Sequence, residues 1–381
     1  MQFAFTEEQE QFRDMVRRFL SETSPTTEVR RLMETDSGFD TGIWQRLSRE
    51  LGLTGLGIPE ACGGAGFGMV ELCIAMEEMG RALLCAPFLS TSILAAKAIE
   101  HVASEEQKAR LLPALASGNK IATLATTEAD GSPGIEAVTL TAEPRGDGFV
   151  LNGRKKFVVD GCSADTLLVA ARAPGSSGAQ GISLFEVAPE DPGLSRRQLT
   201  TLDPTRKLGA LEFNEVKGTP LGTPGEAATG LQRTLDLAAI ALANEMVGGA
   251  ERLLQDTIAF TKLRMQFGRA IASFQAIKHR ATEMLLAVEL AKSAAYYAAA
   301  AVDENDPEVP MLASLAKAAA SETYLQTAIE AIQLHGGIGF TWDQDTHLWF
   351  KRAKSSEVLL GDAAWHRERM IQETLRLEQQ A

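Results

Sequence analysis

Two glycine-rich stretches are where residue type and spacing in this chain could do chemistry. One is Gly63-Gly64-Ala65-Gly66-Phe67-Gly68, the other His335-Gly336-Gly337-Ile338-Gly339-Phe340. Glycines there could let a backbone approach a ligand's phosphates, or could end a helix. The first stretch lacks GxGxxG spacing and follows Pro59 rather than a strand of a βαβ unit. A loop between helices is therefore expected, not a Rossmann site. The second stretch also reads as a loop between helices, and on spacing alone both roles stay open. There is no GxxxxGK[ST] run. The five histidines form no HExxH motif, so no metal site is expected. Cys62, Cys73, Cys85 and Cys162 form no CxxC pair and read as reduced thiols of a cytoplasmic protein.

The elements that must position these residues follow from composition. The chain has 381 residues, 45% hydrophobic and 23% charged, enough for two or three domains with sizeable cores. A formal net charge of −13 argues against nucleic acid or an anionic membrane as the main partner. No apolar run is expected to span a bilayer, and the N-terminus lacks the basic and apolar regions of a secretory signal. Eight of the 14 prolines lie between Ile121 and Gly225, and none lies between Gly225 and Asp306. Three domains are expected: a helical one over 1–120, a β-sandwich or barrel over 121–225 and a helical bundle over 226–381. Helices are predicted at Thr6 onward, Val70–Leu83, Ser90–Val102, 104–117, Leu231–Lys262, Phe274–Asp303, Pro310–Leu334 and Ala363–Leu377. Strands are predicted at Ile135–Leu140, Phe149–Leu151, Phe157–Val159, Thr166–Ala170, Ile182–Val187 and Leu211–Val216, with a turn over 144–148.

Several ordered landmarks resemble the acyl-CoA dehydrogenase family over essentially the whole length. They are Phe5-Thr6-Glu7-Glu8-Gln9, Gly57-Ile58-Pro59-Glu60, and Met76-Glu77-Glu78-Met79-Gly80-Arg81. Arg264-Met265-Gln266-Phe267-Gly268 with Phe274-Gln275-Ala276-Ile277, and Gln333-Leu334-His335-Gly336-Gly337-Ile338-Gly339, are the most specific. The resemblance implies an N-terminal all-α domain, a middle β domain and a C-terminal four-helix bundle. It implies FAD as cofactor and α,β-dehydrogenation of an acyl-CoA thioester in fatty acid or steroid degradation. Electron-transfer flavoprotein is the implied acceptor, and a homo- or hetero-oligomer, dimer or tetramer, the implied assembly. By the same resemblance Arg264 reaches the FAD pyrophosphate of a neighbouring subunit, and Phe267 packs beside the cofactor. Gln275 contacts that same FAD, and Gln333, Gly336 and Gly337 lie along its adenosine half.

The departures from the family pattern fall on the flavin ring and the base. Thr126-Thr127-Glu128-Ala129-Asp130-Gly131-Ser132-Pro133 stands where a longer Gly-rich turn is usual. Thr127 matches, and Ser132 replaces a phosphate-binding serine. Phe157-Val158-Val159-Asp160 stands for a Trp-Ile-Thr-Asn segment; Phe157 can cover the ring, but Val159 has no hydroxyl to offer it. Leu360 occupies the usual position of the glutamate base and Ala238 the alternative one. Asp362, Asp236 and Glu245 are the nearest carboxylates in sequence. Asp362 is the best placed substitute, though the N-cap of the helix that follows is its favoured reading. Lys351, Arg352 and Lys354 read as a solvated basic run. A chain active alone and a non-catalytic subunit that completes an active homologue's FAD site both fit this pattern.

Overall fold

A computed structural model describes residues 5–146 and 148–379. Capping decides where the first helices begin. Thr6 accepts from the Gln9 backbone N–H, and its own N–H donates to the Gln9 side chain; Ser104 and Gln107 repeat this box. The N-terminal helices are α1 (Glu7–Thr23), α2 (Thr26–Met33), α3 (Thr41–Arg49), α4 (Met69–Arg81), α5 (Ala96–Val102) and α6 (Glu105–Ala116). A buried π-helical stretch, Leu89–Ala95, runs into α5. Strands β1 (Ala122–Ala125), β2 (Thr141–Arg145), β3 (Gly148–Val159), β4 (Thr166–Arg172), β5 (Ile182–Val187), β6 (Leu194–Gln198) and β7 (Leu208–Leu221) follow. Then come α7 (Ala228–Leu263), the hairpin β8 (Met265–Gln266) and β9 (Arg269–Ala270), α8 (Gln275–Asp303), α9 (Val309–His335), α10 (Thr346–Val358) and α11 (Ala363–Glu378).

These elements form two compact units that the chain enters more than once. One takes residues 5–31, 69–84 and 239–379; the other takes 32–68 and 85–238. The boundary near residue 238 falls inside α7. In the β-bearing unit, β4 pairs with β2, β2 with β3, β3 with β7, β7 with β5, and β5 with β4 again. The sheet thus closes into a ring, with β1 on β4 and β6 on β7. All seven residues of β4 are buried, as a strand covered on both faces requires.

In the helical unit α9 packs against α8, α10 and α11, and α4 against α1 and α8. Close approach of α4 and α7 depends on two glycines. A Cβ on Gly80 would lie 1.9 Å from the Glu245 carbonyl oxygen, and one on Gly248 would lie 1.9 Å from that of Glu77. Under this crossing lies a buried charge cluster. Glu77 accepts from Arg13 (2.5 Å) and the Tyr296 hydroxyl (2.8 Å), while Glu78 pairs with Arg17 (2.7 Å).

Four expectations need correction. Ile135–Leu140 is no strand; Ile135–Ala137 is a 3-10 turn. Its burial does not alternate, since Ile135, Val138 and Leu140 are the buried residues, and the Glu128 carboxylate takes the N–H groups of Thr139 and Leu140, which a strand would give to a neighbour. Phe149–Leu151 and Phe157–Val159 are the two ends of one strand, β3, whose pairing with β7 is irregular between them. Of the expected turn over 144–148, Pro144 and Arg145 belong to β2 and Gly148 opens β3, with Arg145 paired to Gly148; Asp147 lies outside the described residues. Finally, α8 is long and apolar enough by composition to cross a bilayer; its alanines supply the hydropathy.

Candidate functional site

Six residues singled out in the sequence gather at one end of the helical unit. Phe260, near the end of α7, stacks on His335 at the end of α9 with ring centroids 4.1 Å apart. That contact brings the segment after α7 beside the segment after α9. Arg264 and Phe267 lie on the first, Gln275 opens α8, and Gln333, Gly336 and Gly337 end α9; all six are exposed. The β8–β9 hairpin joins its strands by two residues, Phe267 and Gly268, at φ +54° and +76°. This is the geometry of a type I′ turn, which favours Asn, Asp or Gly at both positions. A phenylalanine there is conformationally costly, and its ring is 89% exposed. Phe274 meets it edge-on at 6.1 Å.

Arg264 makes no side-chain hydrogen bond or ion pair among the described residues. A Cβ on Gly336 or Gly337 would meet nothing within 4 Å, and Gly336 needs its freedom at φ +68°. A free guanidinium, two uncrowded glycines and an outward aromatic ring are the donor set a dinucleotide's diphosphate and adenosine would use.

Within the β-bearing unit the segment after β1 is tied down from below. Lys155 on β3 is fully buried; its Nζ donates to the Thr126 carbonyl (2.9 Å) and to Glu128 Oε1 (2.6 Å). Burial pushes the ammonium down to about 8 against the pull of Glu128. The Lys156 N–H donates to the Thr127 carbonyl (3.0 Å), which fixes the half-buried Thr127. Ser132 closes an Asx turn: its N–H and Oγ both donate to Asp130. Phe157 sits at φ +59°, half-buried, with Lys156 Nζ 5.0 Å from its ring centroid. Asp160, also at positive φ, accepts from Ser90 of the π-helical stretch (2.6 Å).

The carboxylates near the base positions are all engaged. Asp362 caps α11, accepting from the Trp365 N–H (2.8 Å), and is exposed. Glu245 pairs with Arg352 at 2.7 Å, both buried, so the basic run is not a solvated face. Lys351 lies over the Trp342 ring, and Lys354 pairs with Glu357. Asp236 accepts from Gln232 (3.1 Å). Ala238 is buried, and Leu360 is half-buried at φ +62°.

Around Leu360 the structure reveals residues that sequence reasoning missed. Lys317 on α9 is fully buried, and its Nζ donates to the carbonyls of Gly361 (2.9 Å) and Glu357 (3.1 Å) and to Ser321 Oγ (3.0 Å). His366 on α11 reaches the Leu360 carbonyl through Nε2 (3.0 Å) and Ser314 through Nδ1 (3.3 Å). A carbonyl only accepts, so Nε2 carries the proton and Nδ1 accepts from the serine. Burial beside Lys317 pushes the ring's pKa down to about 3, in keeping with a neutral imidazole. Neither partner was visible in sequence, because a lysine in an alanine-rich helix and a histidine after a cap carry no pattern.

Three domain models of one family match in chain order. They are the acyl-CoA dehydrogenase N-terminal domain over 6–119, the middle domain over 123–216 and the C-terminal domain over 229–375. Acyl-CoA dehydrogenase IpdE2 of Mycobacterium tuberculosis (strain ATCC 25618 / H37Rv) is 35% identical over 93% of this chain and 93% of its own length. Among solved structures, the Tcur3481-Tcur3483 steroid ACAD G363A variant is 32% identical with a TM-score of 0.88, covering 97% of this chain and 98% of that one. The ChsE4-ChsE5 complex from Mycobacterium tuberculosis is 28% identical with a TM-score of 0.89, covering 98% and 99%. The chain belongs to the acyl-CoA dehydrogenase family, a class of FAD-dependent oxidoreductases.

Proposed function

We propose that this chain is a subunit of an FAD-dependent acyl-CoA dehydrogenase whose flavin sites are shared between chains. In this reading it supplies the diphosphate- and adenosine-holding side to a homologous partner, and the partner supplies the base. The observation that carries the reading is Phe267, a phenylalanine kept at a costly turn position and presented outward beside an unpaired Arg264. Such strain persists where the side chain is needed by something outside the fold. Arg264 would hold the diphosphate, Gln275 and Gln333 would give it and the adenosine polar contacts, and Gly336 and Gly337 would admit them. Within its own β-bearing unit, Thr127, Ser132 and Phe157 are what remains to meet a flavin ring, with Ser132 already spent on Asp130. FAD, when bound, accepts the hydride from the acyl group, and electron-transfer flavoprotein is the acceptor proposed for the reduced cofactor. Likeness to a steroid ACAD and to the ChsE4-ChsE5 complex supports testing a bulky acyl-CoA and a mixed assembly.

The apolar Leu360 and Ala238 support a base in trans, because proton abstraction next to a thioester carbonyl needs a carboxylate in reach. The chain purified alone should show no acyl-CoA-dependent bleaching of flavin absorbance. In the mixed assembly Arg264→Ala should lower FAD affinity by roughly 10–100-fold, the worth of a charged hydrogen-bond pair. Unchanged flavin content in that variant contradicts the shared site. A second reading, a chain active alone with Asp362 as base, rests on Asp362 lying in the turn beside Leu360. It requires bleaching by the isolated chain that Asp362→Asn abolishes, whereas a cap tolerates Asn.

A further inference from the structure

Residues 336–345 join α9 to α10 and carry Gly336 and Gly337 at their start. Inside this loop the hydrogen bonds are local turns. The Thr341 N–H and Oγ1 both donate to the Ile338 carbonyl, and the Gln344 N–H donates to that of Thr341. Such turns fix short-range shape but not where the loop lies. Its anchor comes from the other end of the sequence. Arg30, on the part of α2 that belongs to the helical unit, donates from Nε to Asp345 Oδ1 (2.7 Å). Its Nη2 donates to the carbonyls of Trp342 (2.9 Å) and Gln344 (3.0 Å). Among the described residues it is the one side chain outside the loop that hydrogen-bonds to residues 336–345. The same guanidinium lies 5.6 Å from the centre of the Trp342 ring, which Lys351 meets at 4.6 Å and His347 edge-on at 4.7 Å.

A planar guanidinium fork can hold a carboxylate and two carbonyls at once, and an ammonium cannot match that geometry. The pair is partly exposed, at 27% for the Arg30 side chain and 35% for that of Asp345, so it adds little to global stability. What it fixes is the loop's place. Trp342 is 59% exposed, so burial in a core does not do this instead. A Cβ on Gly336 or Gly337 would meet nothing within 4 Å. These glycines depend on Arg30 from one side, as they depend on the Phe260–His335 stack from the other.

We infer that Arg30 is a positioning residue for the dinucleotide side of the shared site. It holds the glycine loop beside the unpaired Arg264 in the shape that admits a diphosphate and adenosine. The inference rests on the shared-site reading. It adds a residue from the N-terminal end of the chain that acts through the loop rather than by touching the ligand. Without the fork the loop samples several placements, and only a fraction of them receives the dinucleotide. Apparent affinity falls by that fraction.

The test uses the full chain in its assembly, both loaded with FAD and stripped of it. Arg30→Met keeps the stem of the side chain and loses the fork. In the stripped assembly, amide exchange at residues 336–345 should quicken about tenfold or more in this variant, while α9 and α10 stay as protected as in wild type. FAD affinity should fall roughly 5–10-fold. The thermal midpoint should stay within roughly 3 °C of wild type. Arg30→Lys restores the charge but not the fork, and should bind FAD as weakly as Arg30→Met. Full recovery by Arg30→Lys overturns the inference, since charge alone would then act. Unchanged exchange in the loop overturns it, and so does unchanged FAD affinity in Arg30→Met where Arg264→Ala weakens binding. A fall of many degrees also overturns it, since Arg30 would then be ordinary structure. If neither Arg30→Met nor Arg264→Ala weakens FAD, the shared-site reading has failed and the inference fails with it.

Discussion

Among the described residues seven non-glycine positions have positive φ, and three of them are Phe157, Phe267 and Leu360. Each was singled out in the sequence for its type or position, yet the strain itself was not legible there. It depends on partners far along the chain, such as Lys317 beneath Gly361. His366 gives that dependence a pH signature. Burial holds its folded pKa at about 3, below the ordinary 6.5 of a histidine, so the unfolded chain takes up a proton that the folded chain refuses. Stability contributed by the neutral ring is complete above pH 6.5 and is lost as pH falls toward 3. We expect a slope of up to about 1.4 kcal/mol per pH unit in that window. Replacing the ring by His366→Gln should flatten it, read from urea midpoints across pH. An identical slope in the variant would assign the acid sensitivity elsewhere.

For elements, legibility followed pattern length. The three long C-terminal helices appear within three residues of their expected ends, since a proline-free, alanine-rich run has few alternatives. Short strands fared worse: β1, β2 and β6 were missed, and Ile135–Leu140 was misread. In the last case a buried glutamate supplied what a neighbouring strand would have. The crossing of α4 and α7 was equally hidden, although Gly80 lay in a recognised landmark. Gly80→Ala would drive a methyl into the Glu245 carbonyl, and Gly248→Ala into that of Glu77. Either should cost about 3 kcal/mol, as overpacking at a backbone contact does. The expected readout is a lower urea midpoint with no change in the charge cluster's residues. A neutral result would mean that the helices can separate, contrary to the contact described.

For the molecule as a whole, the helical unit carries apolar surface that nothing within the unit covers. Leu285, Leu286 and Leu290 on α8 and Ile329 on α9 are 43–63% exposed. A second chain, identical or homologous, is the expected cover. Light scattering at micromolar concentration should give a dimer or a dimer of dimers, and Leu286→Glu with Leu290→Glu should shift it toward monomer. A monodisperse wild-type monomer would refute this. The way the chain threads that same unit has a consequence for its synthesis. Most of α4 is buried, Glu77 and Glu78 included, and two of its neighbours, α7 and α8, are encoded far downstream. On the ribosome α4 must wait for them, and at roughly 5–20 residues per second the wait lasts on the order of 10 s or longer. Through that interval an apolar helix has only α1, with Arg13 and Arg17 for its two buried acids, to cover it. The nascent chain is therefore a natural client for a chaperone, and a messenger truncated before α8 yields no foldable product.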